Sequence, residues 1–291
     1  MNTLIAVAIG ILGSSVIHIS KGLMKLGIQR LGGRDTQSPR HVRQTRTRLV
    51  YLTGVLLNFS APLWVMAANL FAEPVVYASM YASGLLSLLL FSRIVLHERL
   101  TAAQMAGAAI IAAGTAVLAV AEFSQQSPVL TLDRLTTVLI IVGAWLSGSV
   151  LIARTSKRVR VSVQEVWFGI AAGGFAALDA VLKGMAQRSG GTALLVPSDS
   201  TALVVLIGSF GVAAMAFVFI QWSYIRHCRA SMMGIAYDLS FVVVPVLVFA
   251  LAVPGYRISV RTAGGLSLLL LGVLVLASPG FRPHPVAETG I

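Results

Sequence analysis

The chain has 291 residues, 57% of them hydrophobic and only 11% charged, with a mean hydropathy of +0.86, whereas soluble domains carry roughly 25% charged residues. That balance excludes soluble, disordered and collagenous classes and implies an all-α, polytopic membrane protein. Lys and Arg number 22 against 10 Asp and Glu, a formal charge of +12, and the single Cys228 leaves no internal disulfide and no multi-cysteine metal site.

Apolar runs of about 20 residues, the length that crosses a hydrocarbon core of roughly 30 Å, fall at 3–23, 49–70, 74–96 and 102–121, then at 135–153, 166–186, 201–223, 232–252 and 262–279. This predicts about nine transmembrane helices. No Lys or Arg precedes the first run, so it reads as a retained helix rather than a signal peptide. The stretch 25–48 then carries Lys25, Arg30, Arg34, Arg40, Arg43, Arg46 and Arg48 without an aromatic residue. It reads as a cytoplasmic loop touching anionic lipid headgroups, with no nucleic-acid partner. Taken with Lys21, Arg93, Arg99, Arg154, Lys157, Arg158, Arg160, Arg226, Arg229 and Arg282, it puts 17 of the 22 cations on one side. The positive-inside rule then predicts an outside N-terminus and a cytoplasmic C-terminus. The compact loops favour a bacterial plasma membrane, and Glu73-Pro74 reads as a tight outside turn between the second and third spans.

Shifting the sequence by 158 positions aligns Lys25 with Lys183, Arg99 with Arg257, Thr101 with Ser259, Gly107 with Gly265 and Gly114 with Gly272, without a gap. The units are residues 1–123 and 161–291, four helices each, joined by a connecting helix and basic loop at 124–160. An odd connector inverts the second copy, the plan of many secondary transporters, whose sites lie at the repeat interface near mid-membrane.

Enzymatic machinery is not apparent. No Gly-x-x-x-x-Gly-Lys-Ser/Thr loop and no Gly-x-Ser-x-Gly motif is present, and His97-Glu98 is followed by Thr101 where a zinc motif needs a second His. No cofactor is implied. The candidates are polar groups inside spans, where a charge is a functional hypothesis by default. Asp179 and Asp238 could ligate a hard cation such as Mg²⁺, which takes one or two carboxylates and keeps several waters; either could instead couple protons. Lys183, four residues after Asp179, could simply neutralise it. Asn58, Gln221 and Tyr224 could act as neutral ligands or as interhelical hydrogen-bonding groups. His18 could titrate near neutral pH or serve as a structural residue.

The stretch from Phe71-Ala72 through Leu96-His97-Glu98-Arg99-Leu100-Thr101, with Gln104, Gly107 and Gly114, resembles the EamA-like repeats of the drug/metabolite transporter superfamily. Gly13-Ser14-Ser15, Lys21-Gly22-Leu23 and Gln221-Trp222-Ser223-Tyr224 look most like its NIPA-type magnesium transporters, as does a count of nine helices. The sequence departs from that pattern at Ser79, where a Pro is usual, and at Arg226-His227-Cys228-Arg229, which replaces an acidic, Asn-rich stretch. The resemblance implies a carrier with a central cavity and a divalent cation as cargo. Two rival readings are an exporter of metabolites or amphipathic compounds, with Trp64, Tyr77, Tyr81, Trp222 and Tyr237 lining an apolar cavity, and a non-transporting scaffold or accessory subunit. The oligomeric state is not legible in the sequence.

Overall fold

A computed structural model describes residues 2–32, 40–71, 74–81, 83–97, 101–124, 130–155, 160–189 and 194–277. Every regular element among them is helical: α1 (Asn2–Gly32), α2 (Arg40–Phe59), α3 (Ala61–Asn69), α4 (Pro74–Tyr81), α5 (Ser83–Ile94), α6 (Ala102–Ser124), α7 (Leu135–Thr155, after a 3₁₀ turn at Leu132–Arg134), α8 (Val161–Gln187), α9 (Ser200–Ile225), α10 (Ala230–Ala252) and α11 (Val260–Ala277). In hydrocarbon each backbone polar group needs an internal partner, which is why such an apolar chain folds this way. Six segments among the described residues are long and apolar enough to cross a bilayer, with Ser83–Ile94, Met105–Leu118 and Val260–Gly272 as shorter apolar helices. When α2 with α3, and α4 with α5, are each taken as one pass, the described residues form the nine expected.

One of the passes is broken among the described residues. Between α2 and α3 the cause is Pro62, whose missing N–H leaves the Asn58 carbonyl without its usual i+4 donor. Ser60 covers the bend by donating its N–H, at 3.1 Å, and its hydroxyl, at 2.6 Å, to the Leu57 carbonyl. Ala82, between α4 and α5, lies outside the described residues.

The basic stretch after the first span differs from expectation. α1 continues to Gly32 and α2 begins at Arg40, so most of 25–48 is helical, and Lys21 and Lys25 are enclosed within the bundle at 0% and 3% exposure. Their long apolar stems and good helix propensity let α1 run on through them. Arg34, Glu73, Glu98, Arg99, Lys157, Arg158 and Arg282 lie outside the described residues.

α8 and α10 form the enclosed centre, packed against each other, while α1 packs on α2 to α5. Outward-facing Leu56, Leu63, Ile140, Leu151, Val204, Leu251 and Leu274 are largely exposed, as a lipid-facing surface requires. α6 packs along α11 through paired glycines. A Cβ on Gly114 would lie 3.0 Å from the Gly265 carbonyl oxygen, and one on Gly265 3.0 Å from the Gly114 carbonyl oxygen. One on Gly272 would lie 3.0 Å from the Gly107 carbonyl oxygen. The two helices therefore run antiparallel with their backbones in close contact. The 158-residue shift exchanges the Gly107–Gly272 contact with the Gly265–Gly114 contact.

Candidate functional site

Ser14, His18, Lys21 and Lys25 recur at helical spacing and so occupy one face of α1. All four are buried. That face meets the end of α4 and the start of α5. The Ser14 hydroxyl donates to the Tyr81 carbonyl and accepts from the Gly84 N–H at 3.1 Å, so one side chain bonds the backbone of both helices. Gly84 has to be a glycine for this approach, since a Cβ there would run into the Ser14 hydroxyl and the His18 ring.

His18 connects this face of α1 to α10. Its Nδ1 lies 2.7 Å from the Ser14 carbonyl oxygen, and its Nε2 lies 2.8 and 2.9 Å from the two carboxylate oxygens of Asp238. A carbonyl only accepts, so Nδ1 carries a proton. The Nε2 contact then needs a second proton, on the imidazole or on the carboxyl group. In either form the pair is neutral overall. Without that proton two lone pairs would face each other, and the contact would open.

Lys21 lies one turn further along. Its ammonium sits 3.3 Å from the centroid of the Tyr237 ring and 5.3 Å from that of Tyr81, and it is within electrostatic reach of Asp238. It has no hydrogen-bond acceptor among the described residues. Tyr81 stacks on Phe241 with centroids 4.1 Å apart and contacts Tyr77 at 6.0 Å, Tyr237 at 5.8 Å and the His18 ring at 5.0 Å. The buried Tyr77 hydroxyl likewise has no hydrogen-bond partner among the described residues. Pro245 in α10 removes the donor that would have bonded the Phe241 carbonyl.

Among the sequence candidates, the structure brings His18 and Asp238 together but does not bond Asp238 to Asp179. Asp179 forms an ion pair with Lys183, which also donates to Ser209 of α9 at 3.0 Å. Tyr237 lies within electrostatic reach of both carboxylates. No group of three or more His, Cys, Asp or Glu side chains that could hold a metal occurs among the described residues. Gln221 accepts from the Tyr51 hydroxyl at 2.9 Å and contacts the Met24 sulfur at 3.1 Å. Tyr224 is buried beside the Lys25 ammonium, 5.7 Å from its ring centroid, and Asn58 is half-buried near the end of α2. The sequence reading did not place Ser14, Lys21 or Gly84 at a site. The recoverable signal was the spacing of Ser14, His18 and Lys21 on one face of an otherwise apolar helix.

One end of the bundle is tied by polar contacts, the first of them between the halves. Lys25 donates to the Cys228 carbonyl at 2.5 Å, and Arg229 pairs with Glu165 at 2.9 and 3.0 Å. Arg226 donates to Gln164 at 3.3 Å and covers the rings of Phe168 and Trp222. His227, at φ 61°, closes α9 with its N–H on the Tyr224 carbonyl and the next N–H, of Cys228, on that of Ser223. Burial, and secondarily the Glu165 charge, pushes the Cys228 thiol up to about 11.

Compared with protein-family models, characterised proteins and solved structures, the chain matches none.

Proposed function

We propose that this chain is a proton-coupled secondary transporter of the drug/metabolite type, built from two inverted repeats, and that it moves a small organic solute past the face of α1 that carries Ser14, His18 and Lys21. The carrying observation is the buried His18–Asp238 contact, which joins the first repeat to the second. Secondary transporters of this plan place their sites at the interface between the repeats. Because the contact needs one proton, gaining or losing that proton closes or opens the seam between the repeats. The groups facing it are Ser14 and Lys21 on α1, Tyr77 and Tyr81 on α4, and Tyr237 on α10, with Asp179 of α8 at longer range.

The reciprocal Gly107–Gly272 and Gly114–Gly265 contacts support the inverted-repeat reading, since a two-fold axis in the membrane plane exchanges them. The placement of Lys25, Glu165, Arg226 and Arg229 at one end supports an outside N-terminus. For the cargo, the site favours an organic solute over Mg²⁺. Asp179 is bonded to Lys183, Asp238 to His18, and the Lys21 ammonium lies beside them.

Proteoliposomes enclosing a pH-sensitive dye, challenged with a panel of neutral, anionic and cationic metabolites and with Mg²⁺, test this reading. At least one organic solute should drive a lumenal pH change that Asp238→Asn abolishes. Saturable Mg²⁺ flux without proton movement would replace the organic-solute reading with the cation reading; no flux of any kind from folded protein would remove transport.

A further inference from the structure

The Lys21 ammonium is enclosed by protein and has no hydrogen-bond acceptor, unlike Lys25, which bonds the Cys228 carbonyl, and Lys183, which bonds Asp179 and Ser209. An ammonium has three donors and no acceptor. Burying it with no acceptor for those protons is among the most unfavourable arrangements a membrane interior can hold. The Tyr237 and Tyr81 ring faces provide only a cation–π environment. The Tyr77 hydroxyl, in the same aromatic cluster, is also buried without a partner. Two unmatched donors therefore border one group of rings.

The charge balance points the same way. Ser14 fixes His18 so that the His18–Asp238 pair is neutral whichever partner holds the proton, and Asp179 is matched by Lys183. Lys21 is within electrostatic reach of Asp238, but that carboxylate is already matched by the proton it shares with His18, so His18, Asp238 and the Lys21 ammonium together carry one net positive charge. A monoanion entering the site would neutralise it and supply the missing acceptor oxygens. A cationic solute would double the charge, and a neutral one would leave it unmatched.

On the transporter reading above, we propose that Lys21 and Tyr77 form the anion subsite and that the solute is a small organic carboxylate whose apolar body packs on Tyr81 and Tyr237. The carboxylate takes the ammonium and phenol protons as hydrogen bonds, and the rings hold the body of the solute.

Benzoate, phenyltrimethylammonium and benzamide share one ring and differ in charge. Their binding to the full chain in lipid nanodiscs by titration calorimetry tests the assignment. Wild type should bind benzoate saturably and the other two at least tenfold more weakly. Lys21→Met, similar in length but uncharged, should lose benzoate affinity at least tenfold while eluting as folded protein, and Lys21→Arg should retain most of it. Benzoate affinity unchanged in Lys21→Met, tighter binding of the cation or the amide, or no benzoate binding by folded wild type would each overturn the anion subsite. Proton flux driven only by cationic or neutral metabolites in the liposome panel would likewise overturn it while leaving the transporter reading intact. A panel without any flux would instead remove the transporter reading.

Discussion

The imidazole of His18 and the carboxylate of Asp238 lie 2.8 Å apart, although 220 positions separate them in the chain. Both side chains are fully buried, so each is the other's replacement for water. Removing one partner of such a pair leaves an uncompensated polar group and costs about 3–5 kcal/mol. Asp238→Ala should therefore lower the thermal unfolding midpoint in nanodiscs markedly. The double variant His18→Leu/Asp238→Leu should recover most of that loss, because apolar replacement of both partners is tolerated, yet remain inactive in proton flux. A double variant as unstable as Asp238→Ala would mean that the site tolerates no apolar filling.

Gly84 faces Ser14 and His18 so closely that a methyl group cannot be accommodated without moving α1. Overpacking of this kind costs about 1–3 kcal/mol, and here it also displaces the hydroxyl that bonds the backbone of both α4 and α5. Gly84→Ala should lower stability and transport together. Gly234→Ala, whose new methyl would meet chiefly the tip of the Leu88 side chain, should have a milder effect in the same unfolding assay.

The α6–α11 contact provides an internal control. Gly265→Val should separate the helices, because the added atoms would strike Leu118 and the Gly114 carbonyl, and should cost about 1–3 kcal/mol. Gly264→Val, one residue earlier, points into open space and should change stability by less than about 0.5 kcal/mol. Equal unfolding midpoints for the two variants would contradict the described register.

Cys228 should be slow to alkylate. Only the thiolate reacts, and with the thiol held up to about 11 it is almost wholly protonated near neutral pH. At pH 7.5 this leaves roughly 300-fold less thiolate than a free cysteine with a pKa of about 8.5. Iodoacetamide labelling of the folded chain should therefore rise steeply only as the pH climbs towards 11. Glu165→Gln, which removes the neighbouring negative charge, should shift that rise to lower pH. Labelling at pH 7.5 as fast as in denatured protein would refute the buried environment.

The sequence by itself determined the setting and the secondary structure, because both follow from local composition. Runs of about 20 apolar residues have few alternatives to a membrane helix, and the glycines at 107, 114, 265 and 272 marked helix faces suited to close packing. Hydropathy also misled. Lys21 and Lys25 resembled the start of a basic loop because a composition window registers a charge without registering what surrounds it. Only the tertiary structure decided that His18 meets Asp238, that Asp179 is taken by Lys183 and that Lys21 is left without an acceptor. Hydrogen bonds and charge compensation act over about 3 Å in space, and those distances depend on how the helices pack rather than on how far apart their residues lie in the chain.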